Sequence, residues 1–333
     1  MILNLGLSNR AAGLGNQAAA YLFPRVFDEL LIGRRVLDME LIPAKTIISG
    51  YGHGRNWFGN NYNMNIYKGC SHGCIYCDSR SDCYRVDNFD QVRGKANALG
   101  IVERELQSKR RTGVIGTGAM SDPYNPMEKK HRLTRGALEL INKFRFGISI
   151  CTKSDLVTRD IDILKQIQIH SPVLVKVTIT AWSDELCNKL EPNAPSPSRR
   201  FAALRELSRQ GIYTCILLMP VLPFLEDNPE NIAGIVHRAK ASGVNFIFPG
   251  FGVTLRQNQR DWYYQKLDEH FPGLKQRYIK LYGNTYDCHS PRARELWQLF
   301  KQECEHCGII YQMAEIIRTY KQGYSYNQLS LFG

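Results

Sequence analysis

No stretch of this sequence approaches the roughly 20 consecutive apolar residues that a membrane-spanning helix needs, so no membrane partner is expected. The opening residues MILNLGLSNRAAGLGNQ break their apolar runs at Asn4, Asn9, Arg10 and Asn16, and no continuous apolar segment leads to a small-residue cleavage site. Ten cysteines in 333 residues are too dilute for a disulfide scaffold. A reducing cytoplasm is therefore the expected compartment, and there clustered cysteines point to metal binding or catalysis. Internal repeats at solenoid periods are missing, and so is a polybasic tail. Disorder is excluded as the main state, because 11% aromatic and 22% charged residues make an ordinary globular mixture.

The chain does carry size and positive charge. Its length suits one large or two ordinary domains, and 44% hydrophobic residues can fill a core. Against 31 acidic groups stand 43 Lys and Arg, a net +12 that points to anionic partners such as nucleic acid. Residues 1–38 hold 4 basic and 3 acidic groups, residues 39–255 hold 28 and 20, and residues 256–333 hold 11 and 8. Most of the excess thus lies mid-chain. Basic clusters at Lys109-Arg110-Arg111, Lys129-Lys130-His131-Arg132 and Arg199-Arg200 read either as phosphate contacts or as solvated faces.

From about Thr46, short β-branched runs alternate with amphipathic stretches. Strands are expected at 112–117, 147–152, 173–179, 213–219 and 245–251, and helices at 133–143, 161–167, 198–210 and 228–241. This alternation is the pattern of βαβ units around a parallel sheet. Five or six units favour a partial barrel over a complete eight-fold one. Residues 256–326 read as a helical C-terminal extension without strong strands. Residues 1–41 read as an N-terminal extension, 42–255 as the barrel and 327–333 as a tail.

The strongest local feature is Cys70-Ser-His-Gly-Cys74-Ile-Tyr-Cys77. Three thiols at this density, with Gly69 and Gly73 to tighten the loop, suit zinc or an iron–sulfur cluster. One reading is a zinc knuckle completed by His72 or His53. The other is a four-iron cube with one iron left without a protein ligand.

Cys70, Cys74 and Cys77, with Tyr76 before the last of them, resemble the signature of radical S-adenosylmethionine (SAM) enzymes. The resemblance implies a partial (β/α)6 barrel with a helical C-terminal extension, a [4Fe–4S] cluster on the three cysteines, and SAM chelated by the open iron. It further implies one-electron cleavage of SAM to a 5′-deoxyadenosyl radical, fed by a reductant such as flavodoxin or ferredoxin. More of the chain is similar to the spore photoproduct lyase-like group: Gly116-Thr-Gly-Ala-Met-Ser121-Asp122-Pro123-Tyr124, Leu190-Glu191-Pro192, and Met219-Pro220-Val-Leu-Pro223. By that likeness Tyr76, Gly116, Thr117, Gly118, Ser121 and Asp122 are expected around the cofactors. Thr178 and Thr180 are ribose candidates that read equally well as ordinary strand threonines. Glu191 with Arg199 is either a clamp for the SAM carboxylate region or a surface ion pair.

One departure bears on function. Matching Ser121-Asp122 to the group's Ser-Asp pair places Ala119 where the hydrogen-donating cysteine of spore photoproduct lyase stands, and alanine cannot donate hydrogen. Cys83 and Cys151 are the alternative thiols, and Tyr76 is a possible relay. Cys288, Cys304 and Cys307 are read as an auxiliary metal site with a histidine, or as reduced structural thiols. The terminal Gln328-Leu-Ser-Leu-Phe332 is similar to the pentapeptide that docks on the bacterial sliding clamp. The substrate expected on these grounds is DNA or a nucleotide. The alternatives are a peptide, tRNA or metabolite, or a clamp-associated DNA-binding protein whose cluster is a sensor or structural element.

Overall fold

The computed structural model describes residues 39–50 and 57–324, so the first 38 residues, His53 and the Gln328–Phe332 tail lie outside the described residues. Six strands form a continuous parallel sheet in chain order: β1 (Tyr62–Met64), β2 (Val114–Thr117), β3 (Gly147–Thr152), β4 (Val173–Thr178), β5 (Tyr213–Leu218) and β6 (Phe246–Pro249). An antiparallel strand, Ile48–Gly50, extends the β1 edge. The expected partial (β/α)6 barrel is present. Its strands read as near-continuous apolar runs because both faces are covered; in β4 all six residues are buried, with Lys176 the lone charge.

Helices cross over between strands for local reasons that the sequence displays. Leu133–Lys143 buries Ala137, Leu138 and Ile141 at helical spacing. Pro197 and Pro229 open the helices Pro197–Arg209 and Pro229–Ala241, where a missing N–H costs nothing. Two elements escaped the sequence pattern. The three residues of β1, Tyr-Asn-Met, show neither alternation nor an apolar run, and the crossover helix Ala98–Gln107 follows without a capping side chain.

The C-terminal region is helical but not strand-free. Asp287–His289 pairs antiparallel with Gly252–Thr254, a short strand in keeping with the expected helical extension without strong strands. Three-residue strands made of polar Asp-Cys-His carry no β signature of their own; pairing partners decide them. The extension also covers both ends of the barrel. Helix Met313–Lys321 brings Ile316 and Tyr320 into the core with Phe58, Val114 and Leu174, and the Tyr320 hydroxyl donates to the Phe58 carbonyl at 2.6 Å. Helix Gln257–His270 packs over the cysteine loop at the opposite end.

Candidate active site

The site sits at the carboxyl ends of the parallel strands, the usual place for ligands in such sheets. A short sheet of Leu41–Ile42, Arg93–Lys95 and Tyr67–Lys68 delivers the chain into the cysteine loop. The Cys70 N–H donates to the Phe89 carbonyl at 2.8 Å and the Ile75 N–H to the Leu190 carbonyl at 2.9 Å, so loop backbone groups are satisfied by two different neighbours. Gly69 has φ +80°, and a Cβ there would collide with the Phe89 and Gln91 carbonyls. Only glycine permits that approach.

Cys70, Cys74 and Cys77 line one cleft of about 440 Å³ together with Gly118, Ala119, Ser121, Asp122, Cys151, Lys153 and Thr178. Among the described residues, no three His, Cys, Asp or Glu side chains close on a single point. The His72 ring points instead to Asp122, with Nδ1 3.4 Å from Oδ2. Three thiols around one cleft suit a multi-iron cluster. Burial pushes the Cys70 thiol up to about 11 and raises Cys74 and Cys77 as well, so loading a cluster must displace protons from all three.

The residues expected around SAM separate into two groups. Gly118, Ser121, Asp122 and Thr178 do line the cleft. Gly118 has φ +82°, and any side chain there would strike the Cys151 carbonyl. Ser121 and Asp122 fasten loops: the Ser121 hydroxyl donates to the Gly69 carbonyl at 2.5 Å, while Asp122 accepts from Thr152 Oγ1 and the Lys153 N–H, both at 2.7 Å. Away from the cleft, Gly116 backs onto the Asn60 carboxamide and Thr117 lines a small adjoining cavity. Thr180 donates to Glu226 at 2.7 Å and is committed there.

The Glu191–Arg199 pairing is corrected. Glu191 is fully buried and takes its ion pair from Arg200, also 1% exposed, and a hydrogen bond from the Tyr76 hydroxyl. Arg200 shares the inward helix face with Phe201 and Leu204, whereas Arg199 points outward to Asp155 at 2.6 Å. Burial would raise the Glu191 carboxyl, but Arg200 and Lys153 outweigh it and hold it near about 2. Tyr76 therefore braces the loop from behind and does not line the cleft. Cys83 is exposed on the turn Asp82–Tyr84, outside the cleft. Cys288, Cys304 and Cys307 are buried thiols. Cys288 lies in the Tyr263–Tyr278 core and the other two on helix Ala293–Cys307.

Lys153 is the cleft residue that sequence reasoning missed. It follows β3 directly, lies 3.9 Å from Glu191 and stands over the Tyr76 ring at 5.5 Å. Burial works against its charge, but Glu191 and, once ionised, the Cys74 sulfur carry its proton affinity upward, so it is a fixed cation beside the cysteines. Its position one residue past a barrel strand was the available signal.

A family model described as the Radical SAM superfamily matches residues 64–244. The chain belongs to that superfamily. An uncharacterized protein of Mycobacterium tuberculosis is 31% identical over 230 residues, covering 66% of this chain and 67% of its own length. A radical SAM Nalpha-GlyT isomerase of Pseudomonas phage M6 is 24% identical over 261 residues, covering 76% and 53%. Among solved structures, spore photoproduct lyase with bound AdoMet and dinucleoside spore photoproduct has a TM-score of 0.61 at 14% identity, covering 80% of this chain and 79% of its own. That likeness is one of fold. The superfamily implies SAM and a [4Fe–4S] cluster as cofactors.

Proposed function

We propose that this protein directs radical SAM chemistry at a nucleotide in DNA. The observation that carries the reading is the cleft itself, where three thiols, one fixed cation and the carboxyl ends of the parallel strands meet. Cys70, Cys74 and Cys77 would hold the cluster, and Lys153 offers a cation to the carboxylate of SAM. When bound, the two groups together supply a 5′-deoxyadenosyl radical that abstracts hydrogen from substrate. Gly118 allows the backbone to approach, Asp122 holds the loops after β2 and β3 together, and the Glu191–Arg200–Tyr76 cluster keeps the cysteine loop in place.

DNA is favoured by the dinucleoside ligand of the lyase that shares the fold and by the basic excess of residues 39–255. A base must leave the stack to reach such a cleft. Reconstituted protein reduced with dithionite should release 5′-deoxyadenosine from SAM, and DNA should stimulate the release. Stimulation by tRNA or peptide but not by DNA overturns the substrate assignment. Clamp docking rests on the Gln328–Phe332 pentapeptide alone; deleting 328–333 should abolish clamp binding and leave SAM cleavage intact.

A further inference from the structure

Cys151 on β3, Lys176 on β4 and Cys215 on β5 are register partners across three adjacent parallel strands. They share the barrel's inner face: Cys151 lines the cleft, and it packs on the core that contains Cys215, Phe58 and Leu174. Lys176 is 1% exposed. Its ammonium donates to the Ser149 hydroxyl, lies 3.4 Å from the Ser149 carbonyl and stands 4.7 Å from the Phe58 ring centroid, and no carboxylate among the described residues pairs with it. An unpaired ammonium in a barrel core costs stability that a methionine of similar shape would not. Burial brings Lys176 down to about 8, with Cys151 and Cys215 opposing that fall, so at neutral pH it holds a proton it can readily release.

We propose that Cys151 is the hydrogen-atom donor to carbon radicals formed in the cleft, and that Lys176 is the proton source that restores its thiol. The assignment rests on the radical reading above. The Cys151 S–H bond breaks homolytically, its hydrogen forms a C–H bond on the radical carbon, and a thiyl radical remains on sulfur. One electron from a low-potential one-electron carrier reduces the thiyl to thiolate. The Lys176 ammonium then passes one proton to that sulfur and becomes a neutral amine, which regains a proton from water. The sum is one carbon radical, one electron and one proton giving one C–H bond.

The surroundings suit both roles. Burial raises the Cys151 thiol against the pull of Lys176 and Lys153, and Asp122 adds to the rise, so the group stays S–H at neutral pH. Ala119 lines the cleft without sulfur, and Cys83 stands outside it.

The test uses the cluster-loaded protein with SAM alone in D2O, where thiols carry exchangeable deuterium. Wild type should place deuterium in 5′-deoxyadenosine. Cys151→Ala should form 5′-deoxyadenosine with its label reduced at least about tenfold, while Cys83→Ala keeps the label. A second readout is independent of turnover: the pH dependence of Cys151 alkylation by iodoacetamide, followed by peptide mass spectrometry. Lys176→Arg, whose charge persists above about 8 where the lysine has lost its proton, should move its midpoint down by about one pH unit, and Lys176→Met should leave it close to the wild-type value. Persistent label in Cys151→Ala overturns the donor assignment, and an unmoved alkylation midpoint in Lys176→Arg overturns the role of Lys176. Failure of wild type to form any 5′-deoxyadenosine would instead sink the radical reading.

Discussion

Glu191 shows how little tolerance the ground behind the cysteine loop has for a lost partner. Its carboxylate is neutralised by Arg200, bonded by Tyr76 and approached by Lys153 at 3.9 Å. Removing one partner of a buried pair leaves an uncompensated charge, so Arg200→Met should cost about 3–5 kcal/mol in denaturant unfolding. The neighbouring Arg199→Met removes an exposed pair and should cost less than about 1 kcal/mol in the same assay. Adjacent arginines with opposite fates were not separable by residue type; only the helix phase, with Phe201 and Leu204 beside Arg200, distinguishes them. Glu226 makes a second test at this scale. Burial pushes its carboxyl up from 4.5 to about 8, so the folded state holds this proton more tightly than the unfolded chain. Its stabilising contribution is complete below about 4.5 and is lost as pH rises through about 8. Glu226→Gln should therefore gain thermal stability relative to wild type at pH 8 and much less at pH 5, measured as paired melting curves.

Among the elements, helix Gln257–His270 does more than finish the fold. The Gln259 side chain donates to the Tyr76 carbonyl at 3.1 Å, Arg256 pairs with Asp78 at 2.9 Å, and Arg80 stacks on Trp262 at 4.1 Å. Outer partners of a metal-binding loop typically carry 10–100-fold in metal affinity. Gln259→Ala should accelerate iron loss to a chelator by about tenfold, followed by visible absorption, with the circular dichroism of the barrel unchanged. Helices with a full amphipathic stripe, such as Leu133–Lys143, and strands with long β-branched runs, such as Val173–Thr178, were legible from sequence. Tyr62–Met64 and Asp287–His289 were not, because a three-residue strand has too few positions to show a period and owes its existence to its neighbour.

Across the whole molecule, the net +12 is concentrated in the segment that builds the barrel. Beside the main cleft, and sharing His72 with it, a second polar cavity is lined by Lys129 and Arg199. If DNA crosses this face, its affinity should fall steeply between 50 and 200 mM salt. The double variant Lys129→Ala, Arg199→Ala should weaken binding evenly across sequences and flatten the salt slope by about 2. No helix among the described residues is long and apolar enough to cross a membrane, and none of the ten cysteines is disulfide-bonded.

By itself the sequence determined the barrel class, the three clustered thiols and an alanine at position 119 ahead of Ser121-Asp122, because periodicity, spacing and residue type are properties of adjacent positions. Tertiary structure alone decided which arginine neutralises Glu191, that Lys153 stands in the cleft, that Ser121 and Asp122 fasten loops, and that Cys151 and Lys176 meet in register. Those outcomes depend on which strand lies beside which and on how much water each side chain loses. Both follow from how distant segments pack, and neither is written in local order.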